Sequence, residues 1–261
     1  MKSASSRRGP KTPDGLDQVY GVHALQSLLD RGEAPRELWV QQGVGSRLKE
    51  LIAQAQAHGA RVKEQPRDLL DQLTQGAAHQ GVVAFCPPLT PEGEESLWLK
   101  LRAWPSNTPP LLLILDGVTD VHNFGACLRS ADAAGAHGVI VAKDKAAPLN
   151  ATVRKVACGA AEVVPVYQVT NLARTLAKLK DAGVWITGTA GEAEASVFDI
   201  DMTGPTALVM GAEGKGMRRL TREACDNLAK LPMAGEVSSL NVSVATGICL
   251  FEAVRQRQLA S

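Results

Sequence analysis

The chain has 261 residues, of which 45% are hydrophobic and 21% charged, with a formal net charge of +1. These values fit a protein with a real core and leave room for two modest domains or one large one. No apolar run reaches the roughly 18–20 residues that a bilayer crossing needs, so a transmembrane chain is excluded.

The N-terminus has no apolar signal-peptide core. Instead, residues 1–15 are small, basic and rich in Pro and Gly. They carry Lys2, Arg7, Arg8 and Lys11, with no acid before Asp14. A disordered tail is expected there, with charge suited to nucleic-acid phosphates. The five cysteines (Cys86, Cys127, Cys158, Cys225, Cys249) have neither metal-ligand nor redox spacing. Reduced thiols in a cytoplasmic protein, with no metal, are the expectation.

Residues 16–88 read as a small α/β domain. Helical spacing runs from Gly21 to Arg31 and from Arg47 to Ala57, and Pro66 suits the first turn of a third helix reaching Leu73. ELWVQ (Glu37–Gln41) and GVVAFC (Gly81–Cys86) read as strands, with a short extended piece from Val62. Residues 89–110 change character. Pro91, Pro105, Pro109 and Pro110 punctuate them, and a short amphipathic helix is expected over Leu97–Trp104, so an interdomain linker is predicted.

From residue 111 to 261 the α/β alternation resumes with stronger strands. LLLIL (Leu111–Leu115) is the fully apolar run that a covered parallel strand requires. Further strands are predicted at Gly138–Ala142, Val163–Val166, Val184–Thr187 and Ala207–Met210. Helices are predicted at Phe124–Ala134, Leu172–Lys180 and Arg218–Asn227, with a final one over Val242–Gln256. The fold class is therefore α/β, a parallel sheet covered by helices.

Such sheets bind ligands at the carboxyl ends of their strands. Three segments hold most of the unusual glycine and polar content there: Asp116–Gly135, Gly211–Met217 and Pro232–Gly247. None is a common nucleotide fingerprint. The first turn lacks the G-x-G-x-x-G of a dinucleotide site. GAEGKGM has Gly216 where a phosphate-binding P-loop needs Ser or Thr, and its glycine spacing is wrong.

Taken together, the three segments resemble the SpoU (TrmH-like) family of RNA ribose methyltransferases, part of the SPOUT superfamily. The resemblance rests on Asn123, Gly125, Ala126 and Arg129, on LVMGAEGKGM (Leu208–Met217), and on LPMAGEVSSLNVSVATGICLFEA (Leu231–Ala253). Their order and spacing agree over residues 111–257. YGVHALQSLL (Tyr20–Leu29) and HQGVVA (His79–Ala84) resemble the ribosomal-protein-L30e-like domain of one subgroup. That subgroup is the bacterial large-subunit (23S) rRNA guanosine-2′-O-methyltransferases. The resemblance implies S-adenosylmethionine as cofactor, ribosomal RNA as substrate, a deep trefoil knot in the SPOUT-type sheet, and a homodimer with the site completed near the subunit interface.

It also implies residue roles. Gly211, Leu231 and Leu240 would hold the adenosine part of the cofactor through their backbone, with Thr189, Met233 and Ser239 nearby. Leu231 and Leu240 equally read as core residues, and the glycine loop as a plain turn. Arg129 is the expected catalytic side chain with Asn123 as partner, and Glu213 and Asn241 complete the set. Asn123 and Asn241 also suit helix caps, and Glu213 a solvent-facing position. Six helical positions separate Asn123 from Arg129, about 240° around the axis, so the two do not share a face. The family's arginine is described as a base. Arginine stays protonated in proteins, so Arg129 is better suited to gripping a phosphate and stabilising a developing alkoxide. His122 is a weaker candidate base. A tRNA ribose methyltransferase and an inactive RNA-binding assembly factor are the competing functions.

Overall fold

The computed structural model describes residues 13–105 and 107–260. The basic tail therefore lies outside the described residues as far as residue 12. The chain divides into two compact units with the boundary between Leu89 and Thr90.

In the first unit the elements run β1 (Asp17–Tyr20), α1 (Val22–Asp30), β2 (Glu37–Gln41), α2 (Ser46–Ala57), β3 (Arg61–Gln65), α3 (Arg67–Thr74) and β4 (Val82–Cys86). They build a four-stranded sheet in the order β1-β4-β2-β3, antiparallel on both sides of β4 and parallel between β2 and β3. Side chains alternate across a strand, so β4 serves two cores. Val82, Ala84 and Cys86 pack with Leu25, Leu28 and Leu51, whereas Val83 and Phe85 pack with Trp39 and Leu70. This is why GVVAFC carries no polar position.

The second unit begins with β5 (Glu92–Gly93) and α4 (Glu94–Arg102). Next come β6 (Leu111–Asp116), α5 (Val121–Ala133), β7 (Gly138–Ala142), α6 (Ala151–Val156) and α7 (Ala160–Val163). β8 (Val166–Val169), α8 (Leu172–Asp181), β9 (Trp185–Thr189) and β10 (Ala195–Ser196) continue it. β11 (Thr206–Gly211), α9 (Arg219–Glu223), β12 (Asn227–Lys230) and α10 (Val242–Ala260) complete the chain. The eight strands form one sheet in the order β10-β12-β9-β11-β6-β7-β8-β5, and every pairing is parallel.

Four sequence expectations change. Residues 89–110, read as a linker, contribute β5 and α4 to the second unit. Glu92 pairs with Tyr167, and Leu97 is buried among Tyr167, Leu172 and Leu176. Glu94 also meets Arg174 and Lys178 at 3.5 and 3.2 Å. The prolines mark the ends of this piece and do not keep it from packing. The strand expected at Val163–Val166 lies later, because Ala160–Val163 is a helical turn and only Val166 opens β8. The helix expected over Arg218–Asn227 stops at Glu223, and Asn227–Lys230 is a strand instead. Finally, α5 starts at Val121, before Phe124, with Asp120 as its cap.

Gly125, one of the residues that carried the family resemblance, has a packing reason. A Cβ there would sit 2.6 Å from Val156 Cβ and 2.9 Å from the Val153 carbonyl. Only glycine lets α5 approach α6 this closely.

Candidate active site

Where strand order reverses in a parallel sheet, the carboxyl ends of neighbouring strands open a crevice. β6 and β11 are such neighbours, and their last residues, Asp116 and Gly211, pair directly. Asp116 closes an apolar strand with a fully buried carboxylate. Its Oδ2 accepts the Arg218 backbone N–H at 2.7 Å, and its Oδ1 accepts Arg218 Nε–H. A buried charge needs such paired donors to be tolerated.

The loop after β11 is drawn tight by two backbone hydrogen bonds. Ala212 N donates to the Gly216 carbonyl at 3.1 Å, and Gly216 N donates to the Ala212 carbonyl at 2.8 Å. The returning backbone passes so close that a Cβ on Gly211 would lie 2.3 Å from Gly216 C and Met217 N. Gly211 is thus required by the loop whatever the loop binds.

The three strand-end segments meet at Asn241, which precedes α10. Its Oδ1 accepts from the Ser243 backbone N–H at 2.9 Å and from Ser243 Oγ at 2.6 Å, so it does cap the helix. Its Nδ2 donates to Asn123 Oδ1 at 2.9 Å and to Glu213 Oε1 at 2.7 Å. Glu213 Oε1 also takes the Val242 N–H at 3.3 Å, at the positive end of the helix. Cap and site residue are one and the same here. Asn123 is not a cap: its own N–H goes to Asp120 Oδ1 at 2.7 Å, which leaves its side chain for Asn241.

Two cavities flank the loop. The larger, about 600 Å³, is lined by all six residues expected at a cofactor, Gly211, Leu231, Leu240, Thr189, Met233 and Ser239. Glu213 and Asn241 line it as well. Thr189 Oγ1 donates to the Val209 carbonyl at 3.2 Å, which fixes its methyl and hydroxyl relative to the sheet. Leu240 stands exposed at the mouth. The smaller cavity, about 500 Å³, opens beside Asp116 and is lined by Asn123, Asp120, Lys145, Arg218 and others. Ala212, Glu213, Lys215, Gly216 and Val242 line both, so the loop is a shared wall.

Arg129 is not brought into this group. It is exposed, lines neither cavity, and its Nη1 sits 3.7 Å from Cys158 Sγ. The 240° offset from Asn123 along α5 accounts for this. His122 is exposed and also lines neither cavity. Burial pushes the Cys127 thiol up to about 11 and Cys249 up to about 12, so neither offers a thiolate near neutral pH. Among the described residues no group of His, Cys, Asp or Glu is arranged to hold a metal ion, and no helix is long and apolar enough to cross a membrane. Sequence reasoning missed Asp116, Lys145, Lys215 and Arg218. The only signal was the acid that ends an otherwise apolar strand.

Comparison with known proteins bears on this arrangement. The sequence profile of the SpoU rRNA Methylase family matches residues 110–251. That of the RNA 2′-O ribose methyltransferase substrate binding domain matches residues 18–92. The chain belongs to the SpoU rRNA methylase family. Curated relatives of this SpoU protein include the 23S rRNA (guanosine-2′-O-)-methyltransferase RlmB of Pseudomonas putida. It is 58% identical over 94% of this chain and 98% of its own length. The enzyme of the same name from Escherichia coli K12 is 56% identical over 92% and 99%. Among solved structures, the SpoU methyltransferase AviRb from Streptomyces viridochromogenes, in complex with the cofactor AdoMet, has TM-score 0.75 and 28% identity. It covers 94% of this chain and 92% of its own. An AdoMet-bound rRNA methyltransferase from Sinorhizobium meliloti has TM-score 0.73 and 27% identity over 92% and 87%. The mixed α/β fold with a parallel sheet is thus the SpoU fold in this chain.

Proposed function

We propose that this SpoU protein methylates the 2′-hydroxyl of a guanosine ribose in 23S rRNA, using S-adenosylmethionine, as a cytoplasmic homodimer. The observation that carries the reading is the convergence of Gly211, Leu231, Leu240, Thr189, Met233 and Ser239 on one cavity that also contains Glu213 and Asn241. The choice of 23S rRNA follows the near full-length likeness to the RlmB relatives. Five free cysteines and a ribosomal substrate favour the cytoplasm.

The larger cavity suits S-adenosylmethionine. Its volume is in the range of about 300–1,000 Å³ usual for small-ligand sites, and apolar Leu231, Met233 and Leu240 alternate with hydroxyls and backbone. When bound, that cofactor would supply a methyl group from its sulfonium sulfur to the ribose 2′-oxygen, leaving a neutral thioether, with the hydroxyl proton passing to solvent. The backbone of Gly211, Leu231 and Leu240 would hold the adenosine part. Asn241, locked by its bonds to Ser243, Asn123 and Glu213, keeps Glu213 Oε1 engaged, which would leave Oε2 for the ribose hydroxyl. Prior fixing of these groups lowers the cost of alignment at the moment of transfer.

Arg129 is assigned the phosphate next to the target ribose, where it would steady a developing alkoxide. Its position outside both cavities of one chain is what brings the homodimer into the mechanism. α10 presents Val244, Ile248 and Phe251 to solvent at intervals of one turn, an apolar stripe that a second copy would cover. Threading of the C-terminal segment through an earlier loop into a trefoil knot, and recognition of RNA by the L30e-like residues 16–88, belong to the same proposal.

Two measurements test it. Calorimetry should show one saturable S-adenosylmethionine site per chain. A map of 2′-O-methyl marks should lose one guanosine of 23S rRNA when the gene is deleted. An intact rRNA map with a missing tRNA mark would redirect the reading to tRNA, and absence of cofactor binding would favour an inactive assembly factor. For Arg129→Lys, turnover is expected to fall about 100-fold, because lysine lacks the two-pronged contact, with cofactor affinity unchanged. Near-normal turnover of that variant across pH would remove Arg129 from catalysis.

A further inference from the structure

None of the six residues expected at the cofactor lines the smaller cavity, yet it shares a wall with the cavity that they line. We propose that it seats a second phosphodiester of the RNA strand, distinct from the one assigned to Arg129, with Lys145, Lys215 and Arg218 taking the phosphate charge. The proposal rests on the methyltransferase reading and adds to it the residues that place the acceptor.

Charge is the first argument. Lys145, Lys215 and Arg218 converge on this cavity from three separate segments. Of its three carboxylates only Asp116 has a cationic partner, and the other two accept neutral N–H groups from within the chain. Asp116 holds Arg218, Asp120 takes the Asn123 N–H, and Glu213 takes Asn241 and the Val242 N–H. Lys145 and Lys215 have no ion pair among the described residues, and both are exposed and line the cavity, so their charge is available to an entering anion. Ammonium groups of this kind bind phosphate as point charges.

Backbone is the second argument. Lys145 lies at φ +59, a left-handed conformation that non-glycine residues seldom adopt. Such outliers cluster at ligand clamps and similar sites, where the surrounding structure sustains them. Here the loop after β7 places Lys145 on the rim of the cavity.

Geometry is the third. Arg218 is tied by both its backbone N–H and its Nε to the buried Asp116, which leaves its outer guanidinium nitrogens for a ligand. Asp116 is therefore a positioning residue. A strand held on this side of the loop lies next to Asn123 and Glu213, while the methyl donor lies on the other side. Asn123 faces the smaller cavity, Asn241 the larger and Glu213 both, so this hydrogen-bonded trio links the two sides of the loop.

The test uses the full chain and a short 23S rRNA fragment containing the mapped guanosine, followed by fluorescence anisotropy at several salt concentrations. Each phosphate contact removed should flatten the plot of log affinity against log salt by about 0.7–1. Lys145→Ala is expected to lower RNA affinity about tenfold and to flatten the slope by one such step, and Lys145→Ala with Lys215→Ala by two. S-adenosylmethionine affinity, measured by calorimetry, should stay within twofold for Lys145→Ala. Asp116→Asn should raise KM for RNA more than it lowers kcat, with wild-type thermal stability serving to separate positioning from misfolding. Unchanged affinity and slope in the Lys145/Lys215 double variant would overturn the assignment, whether or not the wild type methylates. Wild-type chain that binds the fragment without salt dependence would overturn it too. Loss of cofactor binding in the wild type would instead sink the methyltransferase reading. The anisotropy result judges the cavity by itself.

Discussion

Gly211→Ala should weaken cofactor binding strongly while leaving the protein folded. The added Cβ meets backbone atoms, Gly216 C and Met217 N at 2.3 Å, and no rotamer change relieves a clash with backbone. Overpacking of this kind costs about 1–3 kcal/mol, and here the strain is released by moving residues 212–217 off the strand end. That shift breaks the Ala212–Gly216 pairing and swings Glu213 away from Asn241. S-adenosylmethionine affinity should fall at least about thirtyfold, equivalent to about 2 kcal/mol, and methylation should fall further because the acceptor wall moves too. Gly93→Ala is the control, since a Cβ at that position meets nothing within 4 Å. If calorimetry on Gly211→Ala returned the wild-type affinity, the loop would not be part of the cofactor site.

The second large effect concerns the α10 stripe. Phe251 is 49% exposed, and Ile248 and Val244 stand one and two turns before it. Burying a large apolar side chain contributes about 1.5–3 kcal/mol, and a carboxylate placed against the same surface adds a desolvation penalty. Phe251→Asp should therefore weaken dimerisation by a factor of about a hundred or more, read by sedimentation equilibrium. Methylation should fall in parallel, while S-adenosylmethionine binding is affected less, because Val244, Ile248 and Phe251 do not line the larger cavity. A wild-type chain that sediments as an active monomer would remove the dimer from the mechanism.

The sheet of the second unit was largely legible, for a physical reason. A parallel strand covered on both faces must be apolar throughout, and LLLIL, GVIVA and ALVM say so directly. The start of β12 was hidden because RLTREACDN has helical spacing and β12 itself, NLAK, is short and half polar. That residues 92–102 belong to the second unit was hidden because their flanking prolines looked like linker punctuation, although Leu97 carries a core position. At the site, the spacing of Asn123 and Arg129 already implied different faces of α5. Leu231 and Leu240 were legible only through the family resemblance, since a residue that acts through its backbone leaves no chemical signature in its side chain. The Asp116–Arg218 pair spans 102 positions, and no local pattern links them. Long-range ion pairs are a product of topology and become visible only once β6 and β11 are adjacent.

The loop from Ala212 to Gly216 has an energetic consequence of its own. Because the same few residues face both cavities, whatever free energy one ligand spends in stiffening them is already spent when the second arrives. Linkage makes this symmetrical: if cofactor tightens RNA binding by some factor, RNA tightens cofactor binding by the same factor. A partition between two compartments thereby becomes a means by which each reports that the other is filled.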